Sequence, residues 1–310
     1  MRGAGVRELG APVELIDLAE PRSLLYDEVL VTVKAAGVGN WDEIVRTGGW
    51  DVGTQPPMAL GVEFAGVVAE VDRVDGEFSV GDEVLAHVAP LPFDGAWAEQ
   101  VIAPVGSVAH KPQSVSWSVA GAFPIPALTA EQVLSEVLQV TADDTILVYG
   151  AGGVTGGLIV QLAAARGCDV VATASPRSAD RVRGFGAREV LNYTDPRWPA
   201  NLRELTMGRG ATVGVNAARH GAASVLPAVA DGGRLATITG DPPGQERGIS
   251  VSDVYVRPDA QQLAGLVRRL ADDELHLAVA GISTLSDAGA ALSRAASGES
   301  VGAWVISLES

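Results

Sequence analysis

Up to residue 110, apolar positions come in short runs that Gly and Pro repeatedly cut. The run at 28–38 (EVLVTVKAAGV) is rich in β-branched residues, as are 64–71 (FAGVVAEV) and 82–89 (DEVLAHVA). Gly48-Gly49, Pro56-Pro57, Gly76, Gly81, Pro90, Pro92 and Gly95 break the intervals between them. Short strands closed by turn residues predict a small barrel or sandwich. Near residue 120 the pattern changes. A buried strand at 145–151 (TILVYGA) leads to a helix at 156–167 (GGLIVQLAAARG), which stops at Gly with Arg166 in its last turn. A strand at 169–175 and a helix at 176–186, opened by Pro and closed by Gly, follow. EVLNY, TVGVNAA and GRLATITG extend the series. This alternation predicts a parallel, doubly wound sheet. Beyond Asp241 come a Pro/Gly turn, an amphipathic helix at 259–275, a second helix at 285–298 and a last strand, GAWVISLES.

Composition narrows the partners. The 310 residues carry 22 Lys+Arg against 38 Asp+Glu, a net charge of −16. A phosphate backbone or an anionic membrane surface demands a basic face, so no nucleic acid and no membrane is expected as a partner. Hydrophobic residues make up 47% of the chain, too many for disorder. Its single cysteine, Cys168, makes no internal disulfide and supplies no multi-cysteine zinc site. The N-terminus has scattered charges in place of a signal-peptide core, and no stretch has the ~20 apolar residues needed to cross a bilayer. A cytoplasmic protein is expected.

The most informative stretch runs from Thr145 to Gly157. A buried strand enters a glycine-rich turn and a helix leaves it. Gly150, Gly152, Gly153 and Gly156, with Val154 and Thr155, stand where backbone must approach a pyrophosphate and helix N–H groups must meet it. The spacing is Gly-x-x-Gly-x-x-Gly. A tight structural turn is the bland alternative. A unit that binds NAD places an acid at the end of its second strand, ~20 residues after the first glycine, to hold the ribose 2′-hydroxyl. Here that strand ends Thr173-Ala174-Ser175-Pro176-Arg177, with no acid before Asp180. Ser175 and Arg177 suit a 2′-phosphate instead, so NADPH is the expected cofactor. Arg177 also reads as an exposed helix-start arginine, and Arg181 more so.

Ordered motifs then carry a resemblance. They are Gly37-Val38 with Asp42 and Arg46-Thr47-Gly48, Gly61–Val68 (GVEFAGVV), Val80–Val84 (VGDEV), Gly95–Glu99 (GAWAE), Pro124–Ala130 (PIPALTA), the glycine-rich turn, Gly186–Tyr193 (GAREVLNY) and Asp231–Leu235 (DGGRL). Together they resemble the medium-chain dehydrogenase/reductase superfamily, in its zinc-independent quinone oxidoreductase branch, over essentially the whole chain. The resemblance implies an α/β architecture: a GroES-like β-barrel catalytic domain over 1–121, an inserted doubly wound Rossmann domain over 122–256 and a return to the catalytic domain over 257–310. It also implies a homodimer that pairs sheet edges, with 248–256 (GISVSDVYV) as the edge strand.

The same resemblance distributes the site. Thr129 lies by the nicotinamide, Asn216, Thr239 and Gly240 lie along the cofactor, and Tyr193 lies near the adenosine phosphate. Tyr193 equally reads as a half-buried strand cap. Zinc-binding members carry Gly-His-Glu where this chain has Gly61-Val62-Glu63, and Val62 ligates nothing, so no metal is expected. Near the substrate stand Asn40, one place beyond the family's asparagine, and Asp42, which also reads as a structural cap. His87 is a candidate proton donor to carbon. Trp41, Trp50, Phe93 and Trp97 are candidates for a pocket around a flat, conjugated substrate, or for barrel core. The implied activity is NADPH-dependent reduction of a quinone or an activated C=C, an enone or enoyl group, with a tailoring enoyl reductase as a special case. The alternative is an NADPH-binding protein with little redox activity.

Overall fold

The long strand read at 28–38 organises the first half of the molecule, and around it the chain builds a sheet that is antiparallel except where β15 (Val279–Ser283) pairs parallel with β16 (Ala303–Ser307). The computed structural model describes residues 1–72, 76–298 and 300–309; Ser310, the last residue of the terminal strand segment, lies outside them. The chain forms β1 (Arg2–Val6), β2 (Glu14–Asp17), β3 (Glu28–Val38), α1 (Asn40–Arg46), β4 (Met58–Ala59), β5 (Glu63–Val71), β6 (Glu83–His87), β7 (Gln100–Pro104), β8 (Val108–His110), α2 (Trp117–Gly121) and α3 (Pro124–Gln132). The series continues with β9 (Thr145–Tyr149), α4 (Val154–Ala165), β10 (Asp169–Ala174), α5 (Ala179–Gly184), β11 (Glu189–Asn192), α6 (Trp198–Leu205), β12 (Ala211–Asn216), α7 (Ala222–Val225), β13 (Val229–Thr237) and β14 (Ser250–Asp253). It ends with α8 (Ala260–Ala271), β15 (Val279–Ser283), α9 (Ala288–Ser297) and β16 (Ala303–Ser307).

Two compact units result. The first is Met1–Leu128 with Arg257–Ser310, the second Thr129–Val256. The division falls after Leu128, inside α3, where the sequence pattern placed it after residue 121. In the first unit β3 pairs antiparallel with β5, β7 and β16, and the larger sheet runs β15-β16-β3-β5-β6-β8. β16 reaches β3 from the far end of the chain, with Val305 opposite Gly37. A smaller sheet runs β2-β1-β4. Phe64, Leu85, Ile102 and Trp97 are fully buried in this unit.

In the second unit all pairings are parallel and the order is β11-β10-β9-β12-β13-β14. Numbered from β9, this is the 3-2-1-4-5-6 order of a doubly wound dinucleotide-binding sheet. β9 and β10 are apolar along most of their length because helices cover both faces of such a sheet. β14 is its edge, and it is shorter than the segment 248–256 read from sequence. Leu147, Val171, Val229 and Leu235 anchor the core, with Trp198 stacked near Tyr149 at 5.4 Å between ring centroids.

Candidate functional site

Chain reversal at the carboxyl end of β9 builds the nucleotide turn. Gly150 has φ +87°, a conformation open to glycine, and its N–H donates to Thr173 Oγ1 at 3.1 Å. A Cβ on Gly156 would sit 2.3 Å from the carbonyl oxygen of Gly150, so that glycine lets α4 press against the turn. Gly153, the residue before α4, is extended and has nothing closer to an added Cβ than Gly150 O at 3.5 Å. No side chain caps α4 and no acid stands in its first turn. Its N–H groups and dipole are available to an anion.

At the next strand end, β10 runs out at Ala174 into Ser175, which is half-buried, and into Arg177, which is exposed. Ser175 Oγ and Ser178 Oγ are 3.3 Å apart. Arg181 reaches back from α5 and donates through Nη2 to the carbonyl of Gly152 at 2.6 Å. Tyr193, just past β11, is 47% exposed. At the ends of β12 and β13 lies a closed polar network. The Asn216 amide donates to Thr239 Oγ1 at 2.8 Å and Thr237 Oγ1 at 3.1 Å, and its oxygen accepts the Ala218 N–H. Asp241 accepts from Thr237, Thr239 and the N–H of Ala222.

The first unit holds a separate set of buried ionisable groups. Asp42 is fully buried and its Oδ2 accepts the N–H of Gly39 at 2.8 Å, closing the first turn of α1. Burial pushes its carboxyl up to about 8, against the pull of the N–H groups of Gly39, Gly61 and Asp42 itself. Glu63 is buried beside it. Burial raises that carboxyl well above the usual range, the N–H of Ile125 opposes this, and the Asp42 charge adds to it. His87 ends β6 with no exposed surface. Its Nδ1 lies 2.8 Å from Val62 O, and burial pulls the ring down to about 4.

Models of two families match parts of the chain: the alcohol dehydrogenase GroES-like domain at 26–113 and the zinc-binding dehydrogenase at 154–265. A probable quinone oxidoreductase of Schizosaccharomyces pombe is 31% identical over 82% of this chain and 80% of its own length. A trans-enoyl reductase of Alternaria alternata is 32% identical over 61% of this chain and 58% of its own. A mycobacterial protein solved with NADPH superposes with a TM-score of 0.86 at 27% identity, covering 99% of this chain and 100% of that one. The chain belongs to the medium-chain dehydrogenase/reductase superfamily, in its quinone oxidoreductase-like branch. It spans 56–58% of the length of several other curated relatives.

Within this quinone oxidoreductase-like chain, some candidates change role. Trp97 is a core residue, not a pocket wall: it is fully buried, its indole N–H donates to Gly37 O at 3.0 Å, and its ring fills the space that a side chain on Gly61 would need. His87 is not a proton donor at neutral pH, because the buried ring is uncharged and its protonated Nδ1 is given to Val62. Asp42 is a helix-closing carboxyl sealed from solvent. The Asn216 amide is engaged within the protein: its N–H groups face Thr237, Thr239 and Asp241, and its oxygen accepts the Ala218 N–H. Thr239 is likewise engaged, with Asp241 at 2.6 Å, and Gly240 (φ +68°) makes the turn between them.

Asn40 begins α1 and is half-buried, as are Trp41, Trp50 and Phe93. Trp50 packs near His87 at 6.4 Å between ring centroids. A cavity of about 490 Å³ in the first unit passes Leu91 and Pro92, but none of the four aromatic candidates lines it. Thr129 is buried at 7% exposure. Among the described residues, no three His, Cys, Asp or Glu side chains gather where they could hold a metal, and no helix is long and apolar enough to cross a membrane. Sequence reading gave Glu63, Arg181 and Asp241 no place in the site. Glu63 sat in a quoted motif, but its burial depends on Gly37 and Ile125, which only folding brings to it.

Proposed function

We propose that this chain is an NADPH-dependent reductase of a quinone or an activated C=C conjugated to a carbonyl, working without a metal. The observation that carries this is the glycine turn at the carboxyl end of β9, with an uncapped α4 behind it and no acid at the end of β10. The quinone oxidoreductase and enoyl reductase among the relatives support the substrate class.

In this reading the N–H groups at the start of α4 hold the pyrophosphate, and Gly150 and Gly156 let the backbone approach it. Ser175, with a neighbouring cation, takes the ribose phosphate. When bound, the dihydronicotinamide supplies a hydride to the electron-poor carbon or quinone. The substrate's own carbonyl accepts the negative charge that develops, so no Lewis acid is needed. His87 and Asp42 are sealed in the interior, and the balancing proton comes from solvent. Val62, at the place of the zinc ligand in metal-binding members, offers no donor. The protein works in the cytoplasm as a homodimer joined along β14, with Tyr255 exposed two residues beyond that strand.

A second reading is an NADPH-binding protein with little redox activity. The burial of His87 and Asp42 favours it, because neither is placed to assist turnover. Fluorescence titration with NADPH and NADH, followed by NADPH oxidation over a panel of quinones and enones, separates the two. Tight NADPH binding with turnover supports the reductase. Binding without turnover over the whole panel favours the second reading, and binding of neither nucleotide overturns both.

A further inference from the structure

Charge is divided unevenly between the two units. The first, Met1–Leu128 with Arg257–Ser310, has 25 Asp+Glu against 11 Lys+Arg, a net charge of −14. The second, Thr129–Val256, has 13 against 11, a net charge of −2. With the buried Asp42 and Glu63 holding one proton each, the first unit still stands at −12. The near-neutral unit has the turn shaped for a polyanionic dinucleotide. The acidic unit has the aromatic candidates for a substrate. A field of one sign repels solutes of that sign and slows their arrival.

The local arrangement acts in the same direction. Trp41, Trp50 and Phe93 lie on segments 39–53 and 88–97, which hold four acids and one cation. That cation, Arg46, is occupied at all three nitrogens. Nε and Nη2 donate to the Glu43 carboxylate at 2.7 Å each, and Nη1 donates to the carbonyls of Gly10 and Ala11 at 2.7 and 2.6 Å. The other acids are tied to backbone. Asp42 accepts the Gly39 N–H at 2.8 Å, Asp51 the Gly53 N–H at 2.9 Å and Asp94 the Ala59 N–H at 2.9 Å. Among the described residues of these segments, an anionic substrate therefore meets no uncommitted cation and stands beside carboxylates. What the segments have left to offer is aromatic surface, which suits a planar molecule.

We infer that the first unit restricts the reductase to acceptors that carry no negative charge, a free quinone or enone, and turns away those bearing a carboxylate, sulfonate or phosphate, coenzyme A thioesters among them. This rests on the reductase reading above and narrows its substrate class. It also rests on the substrate meeting the first unit at the segments of Trp41, Trp50 and Phe93.

NADPH oxidation with paired acceptors tests it. 1,4-Naphthoquinone is set against its 2-sulfonate, and the crotonyl thioester of N-acetylcysteamine against crotonyl-coenzyme A. The sulfonate withdraws electrons and makes its quinone the easier one to reduce, so a lower rate for it reports exclusion and not chemistry. The neutral member of each pair is expected to show a kcat/KM at least about tenfold higher at low salt, and the gap should close as salt screens the field. Asp51, exposed and next to Trp50 in the chain, is the residue to change. Asp51→Asn keeps an acceptor for the Gly53 N–H, and Asp51→Lys adds a cation. Each should raise kcat/KM for the anionic members relative to the neutral ones, the lysine more; thermal melts establish that both variants are folded. Equal or faster turnover of the anionic members at low salt overturns the inference and leaves the reductase reading in place. So does a ratio that neither salt nor Asp51→Lys moves, because the exclusion is then steric. Turnover of neither pair defeats the reductase reading and this inference with it.

Discussion

Glu63 accepts the backbone N–H of Ile125 through Oε2 at 2.8 Å, joining residues 62 positions apart inside the first unit. Gly37 makes room for that carboxyl: a Cβ there would lie 2.1 Å from Glu63 Oε1. Gly37→Ala is therefore expected to destabilise the protein by roughly 1–3 kcal/mol, the usual cost of overpacking. Glu63→Gln keeps the acceptor and should cost less than Glu63→Ala, which leaves the Ile125 N–H unsatisfied. Urea melts of the three variants check the order.

Asp42 and His87 give stability opposite pH dependences. The Asp42 carboxyl is raised from 3.8 to about 8, so the folded state holds its proton where the unfolded state releases it. Its contribution is complete below the unfolded value and is lost as pH rises towards 8. The His87 ring is lowered from 6.5 to about 4, so its contribution is complete above 6.5 and is lost as pH falls towards 4. Between 6.5 and 8 the His87 contribution is constant while the Asp42 contribution declines. Asp42→Asn should flatten that decline, by up to about 1.4 kcal/mol per pH unit. Urea melts across pH decide it; an alkaline slope that is identical in wild type and variant would contradict the assignment.

Gly153 and Gly156 differ in what a methyl group meets. At Gly156 it strikes backbone at 2.3 Å, so Gly156→Ala should lower thermal stability and abolish nucleotide binding together. At Gly153 the nearest atom is 3.5 Å away and the residue is extended, so Gly153→Ala should fold normally. If the turn holds a pyrophosphate, Gly153→Ala still loses NADPH affinity, because the methyl group occupies the approach to the α4 N-terminus. Fluorescence titration beside a thermal melt separates the two effects.

Asp241 ties the ends of β12 and β13 together. Burial pushes its carboxyl up, but hydrogen bonds from Thr239, Thr237 and the Ala222 N–H outweigh this and hold it below the usual value. Its contribution is present above the unfolded value near 3.8 and is lost as pH falls through the lower folded value. Asp241→Ala removes the acceptor of the Ala222 N–H and of two threonine hydroxyls, and is expected to cost roughly 1–3 kcal/mol. Amide exchange should quicken first at Ala218 and Ala222, whose N–H groups the network holds.

The sequence by itself determined the elements whose periodicity is strong and local. β3 matches the run at 28–38, and β9, α4 and β10 match their patterns to within a few residues, because a buried parallel strand and an apolar helix each write their period into adjacent residues. The glycine turn was legible for the same reason, since strand, turn and helix are contiguous. Only the tertiary structure decided which polar groups are free. The pairing of β16 with β3, the burial of Asp42, Glu63 and His87, and the enclosure of Trp97 all depend on residues far apart in the chain. The two arginines show the difference most clearly. Arg177 and Arg181 look alike in sequence, four positions apart. Folding leaves Arg177 in water and draws Arg181 against the Gly152 carbonyl, because a guanidinium's environment is set by what packs around it.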